Sequence, residues 1–330
     1  MHDSHNIISN IKSIRNDDDF NSVAIDIFNY QYQNNIIYKK WVDYLGHKAS
    51  DIDHYTNIPF LPISLFKTHE IKSYTGDAEI IFSSSGTTGM TTSKHFVKSV
   101  DLYKEAYTAS FEEFYGAIED YTVLALLPSY LEREGSSLIL MAEDFIAKSK
   151  YNESGFYLYN YKELYEQLEF LKLLNRKVIL LGVSFALLEF AEQFKIDFPE
   201  LIIMETGGMK GKRKELLRAE LHSIYNNAFG TSAIHSEYGM TELMSQAYSK
   251  GNGIFECPNN LKILIRDTND PLSLIAKGKS GGINIIDLYN IHSCSFIATQ
   301  DLGKINTDGN FEILGRFDNS DIRGCNLLIL

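Results

Sequence analysis

Phe82-Ser83-Ser84-Ser85-Gly86-Thr87-Thr88-Gly89 sets an apolar residue before seven residues that are all Ser, Thr or Gly. Glycines let a backbone turn tightly and bring its amide N–H groups close to a polyanion, and hydroxyls donate further hydrogen bonds to phosphate oxygens. Such a loop after a strand can cradle a triphosphate, although a polar surface turn has the same composition. It is not the loop that ends in Gly-Lys-Ser/Thr, where a lysine reaches the terminal phosphates and a hydroxyl holds magnesium. The nearest approach to that pattern, Gly207 to Lys212, has the wrong spacing and lacks the hydroxyl.

Working outward from the loop, Glu79 to Ser83 reads as the strand that feeds it. Helix 101–115, strand 121–127, helix 136–148, strand 178–182, helix 185–194, strand 201–205 and helix 212–225 follow. This alternation predicts an α/β fold with a largely parallel sheet. Upstream, Phe20, Val23, Ile27 and Tyr30 share one helical face that Tyr32, Ile36, Trp41 and Leu45 continue, predicting a helical N-terminal layer. Ile58-Pro59-Phe60-Leu61-Pro62 stops it, because proline removes a donor and biases its predecessor to extended geometry. Beyond Glu242 short extended runs at 261–266, 282–287 and 311–314 predict a smaller β-rich part. The chain divides at that point into residues 1–242 and 243–330.

The 330 residues are 44% hydrophobic and 12% aromatic, ample for a sizeable core. With 31 Lys and Arg against 43 Asp and Glu, the net charge of -12 argues against a nucleic-acid partner, whose phosphates call for clustered cations. Cys257, Cys294 and Cys325 are too scattered for a disulfide framework or a zinc knuckle, which points to a reducing compartment. The polar N-terminus does not read as a secretory signal, and no apolar run approaches the roughly 20 residues that span a bilayer. The expectation is a cytoplasmic protein without a membrane span.

Ser-Ser-Gly-Thr-Thr-Gly after a strand resembles the phosphate loop of the adenylate-forming (acyl-CoA synthetase, AMP-binding) superfamily. Four further stretches carry the resemblance in the same chain order: Thr206-Gly207-Gly208-Met209, Tyr238-Gly239-Met240-Thr241-Glu242, Thr299-Gln300-Asp301-Leu302-Gly303 and Gly315-Arg316-Phe317-Asp318. It implies the large N-terminal domain of such an enzyme, with ATP and Mg2+ as cofactors. Ser84, Ser85, Gly86, Thr87, Thr88 and Gly89 would hold phosphates, and Gly207, Gly208 and Met209 would form an adenine-side loop. Tyr238, followed by Gly239, would lie against adenine, Thr241 on phosphate, Asp301 on the ribose hydroxyls, and Arg316 near ribose and phosphate. Glu242 would be the magnesium ligand. Taken singly, Glu242 and Asp301 are residue types more often found as solvated surface carboxylates.

Within the superfamily the chain is most similar to the acyl-protein synthetase branch of bioluminescence-type fatty acid reductase systems, on Ile58 to Pro62, Phe66-Lys67, Thr206 to Gly211 and His235-Ser236-Glu237. That branch implies activation of a fatty acid as its adenylate and acyl transfer to a C-terminal cysteine, here Cys325, then to a partner protein. A carrier protein or CoA are other possible acceptors. His235 is a candidate for orienting substrate or relaying a proton. Only twelve residues follow Asp318, so the small C-terminal domain, with its lysine, is expected to be missing or vestigial. Lys94, Lys210 and Lys212 are candidate substitutes for that cation.

Other readings stay open. An acyl- or aryl-CoA ligase shares the same motifs. A non-catalytic nucleotide-binding scaffold would keep ATP binding and lose the chemistry. Gly182-Val183-Ser184-Phe185-Ala186 sits where a hydrolase nucleophile elbow would, although it departs from Gly-x-Ser-x-Gly and Ser184 also suits a helix cap.

Overall fold

A computed structural model describes residues 4–84, 91–128, 135–207 and 216–317. The N-terminal layer is α1 (Ser4–Ile11), α2 (Asp17–Asn34) and α3 (Ile36–Tyr44). α2 starts where Asn16 accepts from the Asp19 amide, with three aspartates in its first turn to complement the helix dipole. Asn35 ends α2 and caps α3 by accepting from the Tyr38 amide at 2.9 Å. β1 (Leu61–Pro62) follows the Pro-bounded turn, then the ribbon β2 (Ile80–Ser83) and β3 (Lys94–Val97).

The α/β part runs α4 (Val100–Tyr115), β4 (Thr122–Leu126), α5 (Ser137–Lys148), β5 (Gly155–Tyr157), α6 (Tyr161–Leu173), β6 (Val178–Val183), α7 (Ser184–Gln193), β7 (Ile202–Thr206), α8 (Arg218–Phe229), β8 (His235–Tyr238) and β9 (Ala247–Ser249). Its sheet has the order β5-β4-β6-β7-β8-β9, parallel except for the edge strand β9. β4 and β6 are buried at every position, as strands covered on both faces must be. The second sheet comprises β10 (Ile254–Phe255), β11 (Leu261–Arg266), β12 (Ser280–Asp287), β13 (Phe296–Ile305) and β14 (Phe311–Arg316). It is antiparallel in the order β10-β14-β13-β12-β11, and β1 joins β13 in parallel.

The helical layer is fastened to this second sheet. Gln31, fully buried, donates to the Asn290 and Ile291 carbonyls at 3.0 Å and accepts from the Ser295 amide at 3.0 Å. No described helix is long and apolar enough to cross a membrane.

Three expectations are corrected. The strand feeding the loop is not part of the parallel sheet: β2 pairs antiparallel with β3, because the chain doubles back after the loop. The helix expected at 212–225 is α8, beginning at Arg218 and continuing to Phe229, where Gly230 in the left-handed conformation (φ +69°) ends it; residues 212–215 lie outside the described ones. Ser184 does not cap α7, whose N-cap is Val183. Its hydroxyl instead points to Glu205 Oε1 (2.6 Å) and the Gly207 carbonyl (2.9 Å). His222 Nε2 contacts the far oxygen of Glu205 at 2.9 Å, so the acid, not the histidine, adjoins the serine. A hydrolase needs the reverse order.

Candidate active site

The loop's stem closes between Ser84 and Ser93. The Ser84 amide donates to the Ser93 carbonyl (3.1 Å), and the Ser93 amide donates to Ser84 Oγ (3.0 Å). Loop residues Ser85, Gly86, Thr87, Thr88 and Gly89 lie outside the described residues. One turn of ribbon further on, His95 Nδ1 meets the Thr241 carbonyl at 2.8 Å, and its Nε2 meets Asn290 Oδ1 at 3.0 Å. Burial pushes this imidazole down to about 4, against the pull of those two oxygens. Asn290 in turn donates to the Glu242 and Cys294 carbonyls at 2.8 and 2.9 Å. The stem of the loop is thereby tied to both ends of the Thr241-Glu242 peptide.

Glu242 is buried, and burial raises its carboxyl pKa, while a hydrogen bond from Ser93 and the charge of Arg316 oppose that rise. Asp301 lies close enough to raise it further. Segments distant in the chain, at Ser93, Asp301 and Arg316, thus act on one carboxylate.

Asp301 holds the other side. Tyr238 Oη donates to its Oδ2 at 2.7 Å, and Arg316 Nε lies 3.0 Å from its Oδ1. β13 and β14 set Asp301 opposite Arg316 in register. Tyr238 comes from the end of the parallel sheet, so this contact joins the two sheets across the site. A carboxylate offers about four lone-pair directions. Asp301 is 6% exposed, and the Tyr238 and Arg316 contacts leave about two of those directions unfilled by the described residues.

Gly207 ends β7 in the left-handed region (φ +68°), with its carbonyl held by Ser184; Gly208 and Met209 lie outside the described residues, as does Cys325. A side chain at Gly239 would collide with the Glu237 carboxylate and press on Gln246. His235 begins β8 on the face opposite Tyr238. Its Nδ1 pairs with Tyr115 Oη at 3.0 Å, and burial together with Lys250 pushes it down to about 4. It is therefore neutral at pH 7 and stands apart from the Asp301–Arg316 pair. Lys94 is exposed on β3, and Lys210 and Lys212 lie outside the described residues.

Sequence reasoning missed Ser93, His95, Asn290 and Asp287, the residues that bind the motifs to one another. None of the four lies in a motif, and His95 precedes only the short apolar pair Phe96-Val97, which does not by itself read as a strand.

No family profile and no curated protein matches the sequence. Among solved structures, ATP-bound MatB from Rhodopseudomonas palustris is similar with a TM-score of 0.55 and 15% identity, over 73% of this chain and 49% of that one. 2-Hydroxyisobutyryl-CoA ligase in an open conformation with 2-HIB-AMP and CoA aligns with a TM-score of 0.68 and 12% identity, over 93% of this chain and 72% of that one. The same ligase in its postadenylation state with 2-HIB-AMP gives a TM-score of 0.69 and 12% identity, over 92% and 68%. The chain spans about half the length of the MatB chain. Identities this low carry the fold alone, and that fold is the N-terminal domain of the adenylate-forming ligases.

Proposed function

We propose that this chain activates a carboxylic acid with ATP, forming an acyl-adenylate and pyrophosphate, and passes the acyl group to a thiol. The observation that carries the reading is the convergence of the loop stem at Ser84 and Ser93, the Thr241-Glu242 peptide, and the Tyr238–Asp301–Arg316 cluster. Asp301 accepts from the ribose hydroxyls, Tyr238 flanks the adenine, and Arg316 offsets phosphate charge. Residues 84–89 grip the polyphosphate, with Thr241 beside it. The acid's carboxylate attacks the α-phosphorus in line, the bond to the bridging oxygen breaks, and pyrophosphate leaves.

Glu242 is the residue that would hold Mg2+. The described residues contain no group of three or more His, Cys, Asp or Glu suited to a metal. Mg2+ takes oxygen ligands and commonly one or two protein carboxylates, completing its shell with phosphate oxygens and water. The buried Glu242 carboxyl, its rise opposed by the Ser93 bond and the Arg316 charge, would supply the hard oxygen such an ion prefers. When bound, the ion supplies charge neutralisation for the departing pyrophosphate.

Burial pushes the Cys257 and Cys294 thiols up to about 12, which leaves both protonated and poor nucleophiles. The acyl acceptor is therefore Cys325, as in an acyl-protein synthetase acting on a fatty acid, or an external thiol such as CoA or a carrier protein. That the 2-hydroxyisobutyryl-CoA ligase was solved with CoA supports the external alternative. The test is to incubate the protein with ATP, Mg2+ and a panel of carboxylic acids, following ATP–pyrophosphate exchange together with the protein's mass. Acid-dependent exchange is expected. An acyl mass increment lost in Cys325→Ser assigns that cysteine as acceptor, and exchange without any increment assigns an external thiol. ATP binding without exchange overturns the enzyme reading in favour of a nucleotide-binding scaffold.

A further inference from the structure

Strand β8 ends in two neighbouring side chains that point to opposite faces of the parallel sheet. Tyr238 takes the face shared with Asp301. Glu237 takes the other, where the register sets Thr206 of β7 beside it on one side and Tyr248 of β9 on the other. Gln246, two residues before Tyr248, shares that face, and the missing side chain of Gly239 makes room for the Glu237 carboxylate next to it.

These groups are not paired as buried polar groups usually are. Thr206 Oγ1 donates to Glu237 Oε2 at 2.5 Å. Tyr248 Oη and Gln246 Oε1 are buried and have no hydrogen-bond partner among the described residues. Gln246 is 4% and Tyr248 1% exposed, whereas Glu237 keeps part of its surface open. Glu237 lies close enough for its charge to raise the Tyr248 and Tyr103 phenol pKa values beyond what burial does. Unpaired buried polar atoms are expensive, and a native fold keeps them chiefly where something else supplies the partner. Behind Tyr248 lies an apolar void lined by Phe111, Met141, Phe145, Leu181 and Met204. The face is thus polar at the strand ends and oily beneath.

An acyl-adenylate joins its acyl carbon directly to the α-phosphate. If the ribose is held on the Tyr238 side, the other face of the same strand ends, past Glu237, is where the acyl chain would run. We propose that Thr206, Glu237, Gln246 and Tyr248 form a specificity subsite for a hydrogen-bond donor carried close to the carboxyl group of the acid, so that the preferred substrate is a hydroxy or amino acid with an apolar remainder. The inference rests on the adenylation reading. The spare capacity is mostly acceptor, in the Glu237 carboxyl and Gln246 Oε1, which is why a donor-bearing substituent fits and a bare methylene chain does not.

The test compares acids of one chain length in ATP–pyrophosphate exchange: the unsubstituted acid, its β-hydroxy analogue and its α-amino analogue, with the full chain and with Glu237→Gln and Tyr248→Phe. A donor-bearing acid is expected to exceed the unsubstituted one by roughly tenfold or more in kcat/KM, since a site built to bond a polar group discriminates against its absence. That preference should shrink in both variants through KM for the substituted acid, while KM for ATP holds. Which analogue wins separates hydroxyl from ammonium. Equal or faster exchange with the unsubstituted acid, or an undiminished preference in the variants, overturns the subsite and leaves adenylation standing. No exchange with any acid, in protein that still binds ATP, overturns adenylation and the subsite with it.

Discussion

Two carboxyls, Asp287 at the end of β12 and Glu237 at the end of β8, are both pushed up by desolvation, and their surroundings could hardly differ more. Asp287 accepts from the Met244 amide (2.7 Å), the Ser245 amide (2.9 Å) and Ser245 Oγ (2.8 Å), and is wholly buried. Among the described residues Glu237 has one such bond, from Thr206, and neighbours without a partner. A carboxylate whose lone pairs are filled by backbone amides is a fastener, here pinning residues 244–245 to the second sheet just past Glu242. One with a single bond among the described residues and part of its surface open has capacity left for a ligand.

The comparison breaks most visibly at the fastener. Asp287→Ala strands two buried amides and a hydroxyl, and should cost about 3–5 kcal/mol of stability, as the loss of one partner in a buried charged network does. Urea denaturation followed by circular dichroism measures it. A loss under about 1 kcal/mol would mean that water fills the gap and that Asp287 is no fastener. Next in size, Glu242→Gln should lower acid-dependent pyrophosphate exchange about a hundredfold while leaving the urea midpoint nearly unchanged, because it removes the charge that would hold the metal and leaves the shape. A parallel loss of stability would make Glu242 a second Asp287.

How much of this was legible in the sequence depended on which face of an element carries apolar side chains. β4 and β6 read directly from the apolar runs at 121–127 and 178–182 because both faces are buried. β13 did not read as a strand although it is ten residues long. Its buried positions include Thr299 and Asp301, so the apolar alternation that marks a strand is replaced by the chemistry of the site. The motif residues Tyr238, Asp301 and Arg316 were legible as types in order. What joins them was not, since His95 meeting Thr241, and Asn290 meeting Glu242, are contacts 146 and 48 residues apart in the chain that no local pattern encodes.

Asp301 tests the same contrast in a milder form, because it combines filled and spare lone pairs: Tyr238 and Arg316 occupy two, and the ribose would take the rest. Asp301→Asn should weaken ATP binding about tenfold by calorimetry, near 1.4 kcal/mol. The loss should be much smaller for the 2′-deoxy nucleotide, which lacks one of the hydroxyls. An equal loss for both nucleotides would assign Asp301 to the inter-sheet contact with Tyr238 alone.

The smallest expected effect concerns Glu237 without any ligand. Burial raises its carboxyl to about 7 from the ordinary 4.5, with the Thr206 bond opposing. Below pH 4.5 the group is protonated in both folded and unfolded chains and takes nothing from stability. Between 4.5 and about 7 the unfolded chain releases its proton first, so the folded state loses stability as pH rises, and above 7 the deficit is constant. Three histidines slope the other way: His95, His235 and His292, each pushed down to about 4, cost stability as pH falls below 6.5. The overall profile therefore mixes both, and the difference between wild type and Glu237→Gln isolates the carboxyl. That difference should be flat above pH 7, favour the variant there by on the order of 1 kcal/mol once the weakened Thr206 bond is set against the relieved charge, and shrink or reverse towards pH 4.5. A variant less stable at every pH would make Glu237 a fastener of the same kind as Asp287, and the contrast between the two carboxyls would vanish.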